Sequence, residues 1–231
     1  MTAQRLRLWF RKGQRVRYIS HLDVLRHWER VFRRAELPLA YTKGFTPHPR
    51  LAFAAPLPLG FIAEGDVFDA TLDERVDLDA VRDRLAEQST EDLSLVDMRE
   101  VPAQAPAPQA SLKWADYRFD ISGASLDEAS AAIDDFMARE TFEWVDERLQ
   151  KKRTYDMRAG VSSLSAEEAE DGCVRIRGRL GAHQDLTIRP EELLKAILPD
   201  ASASLFVRER LILDEPSPAR EAWRRRGQFE A

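Results

Sequence analysis

One cysteine in 231 residues is the first constraint on this chain. A lone Cys173 excludes an intramolecular disulfide and any cluster held by cysteines alone, iron–sulfur clusters included. Beside Val174 and Ile176 it reads as a small buried side chain. Long apolar runs are missing too, and none approaches the ~20 residues a membrane span needs. The opening Met-Thr-Ala-Gln-Arg-Leu-Arg lacks the apolar core of a secretory signal, so a cytoplasmic location without membrane contact is expected. Only four histidines occur, and no His, Cys or acidic cluster stands at a metal spacing. Neither metal nor cofactor is expected.

What is present suits a folded domain: 44% hydrophobic and 32% charged residues. The length leaves room for two cores. A net charge of −5 argues against loose binding to polyanions, but it hides an asymmetry. Residues 1–50 hold 12 Lys/Arg against Asp23, Glu29 and Glu36, whereas 51–110 hold four Arg against 13 acids. Because fields are screened within a Debye length of ~8–10 Å, a basic face on an acidic body still attracts an anionic partner locally.

The basic residues gather in the stretch 18–50. Ser20 followed by Asp23 is a capping-box pattern that starts a helix near His21. Val24, Leu25, Trp28, Val31, Phe32 and Ala35 then recur at helical spacing as a buried stripe, with Arg26, Arg30, Arg33 and Arg34 on the opposite side. Leu37 to Tyr41 reads as extended, and Gly44, Pro47 and Pro49 demand a loop. That loop carries Lys43, Phe45, His48 and Arg50, which supply charge, a stacking ring and partly free backbone N–H groups. These are the parts that hold a phosphodiester and a base.

In chain order the first half reads as a strand from Leu6 to Phe10, the helix, strands at 51–55 and 66–72, a helix from Leu78 to Gln88 and a strand from 93 to 101. This is the order of a ferredoxin-like split βαβ unit, with helices on one face and the other left free. Pro102 to Gln109 has linker composition. Beyond it come a strand (114–121), a helix (126–139), strands at 142–149, 154–157, 172–180 and 185–188, a helix (191–198) and a last strand (204–213). The expected fold class is α+β, two tandem ferredoxin-like (βαββαβ) domains. The units are 1–101 and 113–215, separated by a linker at 102–112 and followed by a basic tail at 216–231.

A second basic strip, Arg148, Lys151, Lys152, Arg153 and Arg158 around Tyr155, offers another backbone contact with Tyr155 as a stacking platform. Ser20, His21 and Asp23 do not make a triad, because neighbours at a helix start point apart. His21 and His48 are the candidates for general acid or base in RNA cleavage.

Five segments carry a family resemblance: Phe10-Arg-Lys-Gly, Arg17-Tyr-Ile-Ser-His-Leu-Asp, Arg33-Arg-Ala-Glu-Leu-Pro, Gly44-Phe-Thr-Pro-His-Pro-Arg and Ala55-Pro-Leu-Pro-Leu-Gly. In that order they resemble the radical-SAM-linked family of uncharacterised bacterial proteins, a domain of unknown function found alone or fused behind radical-SAM enzymes. Members commonly carry Asn and Arg where this chain has Thr46 and His48. The later half matches mainly around Arg153-Thr-Tyr-Asp-Met-Arg. The resemblance implies no established activity. It does imply a radical-SAM enzyme as a partner, since a chain with one cysteine cannot be that enzyme. The helix followed by Gly-Phe-x-Pro is also similar, at greater distance, to RNA-binding proteins of the CRISPR repeat-processing type.

Three functions are therefore expected, a binding role being read ahead of a catalytic one. The first is an RNA-binding accessory to RNA processing or modification. It would use a cleft built from Ser20, His21, Arg26, Arg30, Arg33, Lys43, Phe45 and Arg50, with Lys151, Arg153, Tyr155 and Arg158. The second is a protein adaptor for a radical-SAM enzyme, and the third a metal-independent endoribonuclease. RNA is the expected ligand, with a radical-SAM enzyme or a ribonuclease as protein partner.

Overall fold

The computed structural model describes residues 4–146, 152–169 and 172–214. Arg148, Lys151, the end of the expected strand at 142–149 and the basic tail lie outside the described residues. The chain forms an α+β structure. In order these are β1 (Gln4–Lys12), α1 (His21–Arg34), β2 (Leu51–Phe53), β3 (Ile62–Leu72), α2 (Leu78–Gln88), β4 (Leu93–Glu100), α3 (Pro108–Ser111) and β5 (Leu112–Ser122). There follow α4 (Leu126–Ala138), β6 (Glu143–Asp146), β7 (Arg153–Asp156), β8 (Val161–Glu168), β9 (Val174–Gly181), α5 (Pro190–Ile197) and β10 (Ser202–Leu213).

Eight strands make one mostly antiparallel sheet, β4-β1-β3-β10-β5-β9-β8, with β2 also on β3, while β6 and β7 pair apart. Each half repeats one strand order, β4-β1-β3-β2 and β10-β5-β9-β8. The halves join where β10 runs parallel to the start of β3, pairing Val207 with Ile62 and Arg208 with Ala63. One edge of β3 is thus shared end to end, by β10 at 62–63 and by β2 at 68–70. Gly65 allows the join, since a Cβ there would meet the Glu209 carbonyl oxygen at 3.1 Å.

Local chemistry explains the helices. Ser20 accepts from the Asp23 N–H while Asp23 accepts from the Ser20 N–H, and Ser125 with Glu128 does the same for α4. The α1 stripe of Val24, Trp28, Val31 and Phe32 packs on Leu6, Leu8, Phe10 and Phe68, with Trp28 and Phe68 ring centroids 5.1 Å apart. Burying each such side chain contributes about 1.5–3 kcal/mol, so the stripe outweighs the helix's weak intrinsic propensity. Trp28→Ala would break it, at a cost of about 3–5 kcal/mol.

Three expectations change. Val161–Glu168 is a strand where none was read, because its side chains are mostly small and polar: it is the outer edge of the sheet and needs little burial. Residues 185–188 make only an isolated bridge, Ala182 to Thr187. The sheet's second face is not bare either. On β5, β9 and β10, Asp116 accepts from Arg179 and Arg210, Asp120 pairs with Arg175, and Glu209 with Arg118 and Arg177. On β1 and β3, Arg5 and Arg7 grip Asp69 and the carbonyls of the linker crossing over them, up to Pro106. Cross-strand Arg–carboxylate pairs let that face meet water without an apolar cover. Cys173 is half-buried.

Candidate nucleic-acid interface

The arginines divide into two populations. Arg5, Arg7, Arg118, Arg175, Arg177, Arg179 and Arg210 on the strands are held in the pairs just described, whereas Arg11 on β1 is exposed and in none of them. On α1, Arg30, Arg33 and Arg34 are exposed and have no ion-pair partner among the described residues, and Arg26 has only Asp23 at 3.6 Å. The stripe that buries Trp28 forces these guanidinium groups outward, because residues on opposite sides of a helix cannot both face the core.

Next to that face rises the segment 41–49, which is a hairpin. Tyr41 bridges Pro49, the Thr42 N–H donates to the His48 carbonyl (2.8 Å) and the His48 N–H donates to Thr42 Oγ1 (2.9 Å). Gly44 turns the tip at φ 135°, a conformation that excludes other residues without strain. Lys43 and Phe45 stand at that tip in full contact with water. Tyr41 Oη donates to Glu29 Oε1 (3.4 Å), which sets the foot of the hairpin against the outer face of α1. The structure thus sets the foot of the hairpin against the helix that carries Arg26, Arg30 and Arg33, with Lys43 and Phe45 at its exposed tip. Arg50 is placed elsewhere: it borders a depression with Arg5 and Asp69, on the side of the sheet away from α1.

The two helix-start residues are partly buried. Ser20 is taken up by its cap. His21 sets its ring edge-on to Phe53 at 5.0 Å, and burial lowers its pKa, with Asp66 opposing and Arg208 and Lys12 adding to the shift. At neutral pH His21 therefore carries no charge to offer a phosphate. His48 is exposed at the hairpin.

The second strip serves its own half. Arg158 donates to the Met137 carbonyl (3.2 Å) and the Val161 carbonyl (2.8 Å), tying α4 to β8, and Arg153 donates to the Asp185 carbonyl (2.6 Å). Tyr155 lies opposite Trp144 and packs on the core of the second half. Lys151 lies outside the described residues, and Lys152 beside it is exposed.

Sequence reading missed a buried charged group at the junction of the halves. Arg208 and Asp66, each 3% exposed, make a two-pronged pair with both N–O distances 2.7 Å. The same guanidinium donates to the carbonyls of Pro56 (3.2 Å) and Ala55 (3.3 Å), which lie in the gap on β3's edge between β2 and β10. Burial works against its charge, yet Asp66 and the hydrogen-bonded Tyr117 hold its pKa above the ordinary value. Lys12 lies nearby and donates to the carbonyls of Arg17 (2.9 Å) and Ile19 (3.2 Å), with its pKa lowered by burial. The only trace in sequence is a charge inside apolar strands, Asp66 before Val67-Phe68 and Arg208 after Phe206-Val207.

Residues 5–190 match the pattern of a family described as uncharacterized protein conserved in bacteria, DUF2344. The chain belongs to that family. No curated protein matches it. Among solved structures it is similar to a chain of a Cbf5-Nop10-Gar1 complex, with 14% identity, a TM-score of 0.51 and coverage of 89% of this chain and 48% of that one. It is also similar, with a TM-score of 0.44, to a chain of the archaeal box H/ACA sRNP Nop10-Cbf5 complex, at 14% identity over 88% of this chain and 46% of that one. The family member described here thus spans about half the length of these structural relatives. The first likeness is one of fold, and it runs through both halves. Among the described residues no helix is long and apolar enough to cross a membrane.

Proposed function

We propose that the protein binds RNA through the outer face of α1 and the 41–49 hairpin. It would act as an accessory to RNA processing or modification, built from two ferredoxin-like units at 1–101 and 113–215 that share one sheet. The observation that carries this reading is the contrast between the two arginine populations. Most strand arginines are matched by carboxylates, while Arg30, Arg33 and Arg34 on one helix are left unmatched, near an exposed Lys43 and a ring, Phe45, that buries nothing. An acidic chain that gathers several unmatched cations on one helix face attracts a polyanion there. An exposed aromatic next to such a strip gives a base a surface to stack on. The repeated strand order of the halves supports the tandem architecture. Of the second strip, this reading enlists Lys151, Arg153, Tyr155 and Arg158 as further contacts.

The test is binding of single-stranded RNA across a salt series. Log K is expected to fall linearly with log salt, and Arg30→Ala with Arg33→Ala to flatten the slope by about two. Salt-independent binding, or an unchanged slope in the double variant, overturns the reading.

A second reading, docking of a protein partner such as a radical-SAM enzyme, is favoured by a different patch. Tyr18 and Leu59 are both exposed, Tyr18 lies against Gly60, and Arg17 rests on the Tyr18 ring at 4.8 Å. Co-purification lost in Tyr18→Ser with Leu59→Ser, but kept in the arginine variant, would favour docking over RNA.

A further inference from the structure

The gap on the edge of β3 opens into a cleft of about 440 Å³ between the halves. That is within the ~300–1,000 Å³ of ordinary small-ligand sites. Its lining includes short apolar side chains, Ala54, Leu57 and Pro58 from the first half and Leu112 and Ile188 from the second. Its floor is polar, and Tyr117 and Arg208 form it.

The hydrogen-bond accounting of that floor is uneven. Arg208 gives its Nε and one terminal nitrogen to Asp66 and reaches the carbonyls of Ala55 and Pro56, with the Tyr117 hydroxyl beside the guanidinium and supporting its charge. A guanidinium has no acceptor, so Tyr117 can turn only its oxygen to it and the phenolic O–H is directed elsewhere. Burial raises the Tyr117 pKa, with Arg208 opposing, so that proton stays in place at neutral pH. Glu191, at the start of α5, lines the same cleft and acts on Tyr117 electrostatically. Its Oε2 is buried and receives no hydrogen bond. A buried carboxylate oxygen without a donor is costly, and a native structure keeps one where something else supplies the donor. The floor therefore offers one free O–H and one free acceptor beneath an apolar slot. At its mouth stands the exposed Arg189.

We infer that this cleft binds a single nucleobase, whose ring lies between the apolar walls, whose acceptor takes the Tyr117 O–H and whose neighbouring N–H is given to Glu191. A 5′-phosphate on that nucleoside would meet Arg189. The same chemistry is presented by a free nucleoside monophosphate and by one nucleotide turned out of an RNA strand, which exposes its base edge at a cost of a few kcal/mol. The site is separate from the α1 face and does not depend on it. Nothing here requires that any bond be broken.

The probes are the four ribonucleoside monophosphates and a single-stranded RNA octamer of mixed sequence, each titrated calorimetrically against the whole chain. Saturable binding of a monophosphate, weakened about tenfold by Glu191→Ala and by Tyr117→Phe, is the expected result. Octamer binding alone, with the same sensitivity to both substitutions, also supports the site and identifies its source as an extruded nucleotide. Octamer binding that is lost in the Arg30→Ala, Arg33→Ala variant but unchanged in the two cleft variants overturns the inference while leaving the α1 reading intact. Failure of all five probes to bind overturns it as well. Glu191 sits at the rim of α5 rather than on the sheet, so its variant keeps the test open should Tyr117→Phe unfold.

Discussion

The pair Asp66–Arg208 and the pair Arg177–Glu167 are alike on paper and opposite in consequence. The first is sealed at the junction, and the second lies at 42% and 54% side-chain exposure. Removing one partner of a buried pair strands the other charge without solvent, so Asp66→Ala should lower unfolding free energy by about 3–5 kcal/mol. Glu167→Ala should cost at most about 1 kcal/mol. Urea unfolding of the two variants checks the difference, and equal losses would contradict the burial argument. Histidines set the pH response. Burial lowers the pKa of His21 and of His27 below the ordinary 6.5, with Arg30 and Arg34 adding to the effect at His27. The unfolded chain then binds more protons than the folded one just below pH 6.5, so stability is complete above that value and declines as pH falls toward the depressed folded values. Asp116 and Asp120, whose pKa values lie below 3.8, add their own loss only in a lower window. A His21→Gln, His27→Gln variant should therefore have a flatter melting temperature from pH 6.5 to 5 and the same acid limb below it. A wild-type profile flat down to pH 5 would refute this.

Among the elements, α1 and the hairpin beside it separate stability from binding. Ser20→Ala removes the oxygen that caps the first turn and should cost about 1 kcal/mol while leaving RNA affinity unchanged. Phe45→Ala touches no packing, since the ring is wholly exposed, and should leave the melting curve in place while weakening single-stranded RNA binding by about 1–3 kcal/mol. Reversed effects would mean that the hairpin is structural. The same elements mark what was legible in the sequence. The spacing Leu78, Val81, Leu85 gives α2 within its observed bounds, and the Ser20–Asp23 pattern gives the start of α1, because both are determined within one or two helical turns. β8 was not legible: an edge strand of serine, alanine and glutamate is held by pairing to β9, and its own composition says little. The hairpin's foothold on α1, Tyr41 on Glu29, followed from chain proximity. The engagement of Arg158 with two carbonyls did not, since a guanidinium that serves as a strut has the same letter as one that serves as a hook.

The whole molecule is governed by the parallel join of β10 to β3. A composition break at Pro102 to Gln109 marks where the chain crosses between halves, but no local signal reports that Arg208 will meet Asp66, 142 residues earlier. Because the halves share a sheet and a sealed ion pair, thermal unfolding followed by calorimetry should be one transition with equal calorimetric and van't Hoff enthalpies. Two resolved transitions would show the join to be weak. Gly65→Val places a side chain against the Glu209 carbonyl and should prise β10 away, splitting the single transition into two.

Synthesis runs from β1 toward β10, so the part of β3's border that β10 fills is supplied after the rest of the sheet. Until Ser202–Leu213 has emerged, Ile62 and Ala63 present unfilled ladder groups, and Asp66 waits without its counter-ion. A nascent first half is accordingly an incomplete template, open to pairing with any extended segment nearby, and the cell has reason to shield it during synthesis. Nonsense mutations just upstream of β10 should thus yield aggregation, not a smaller working fragment.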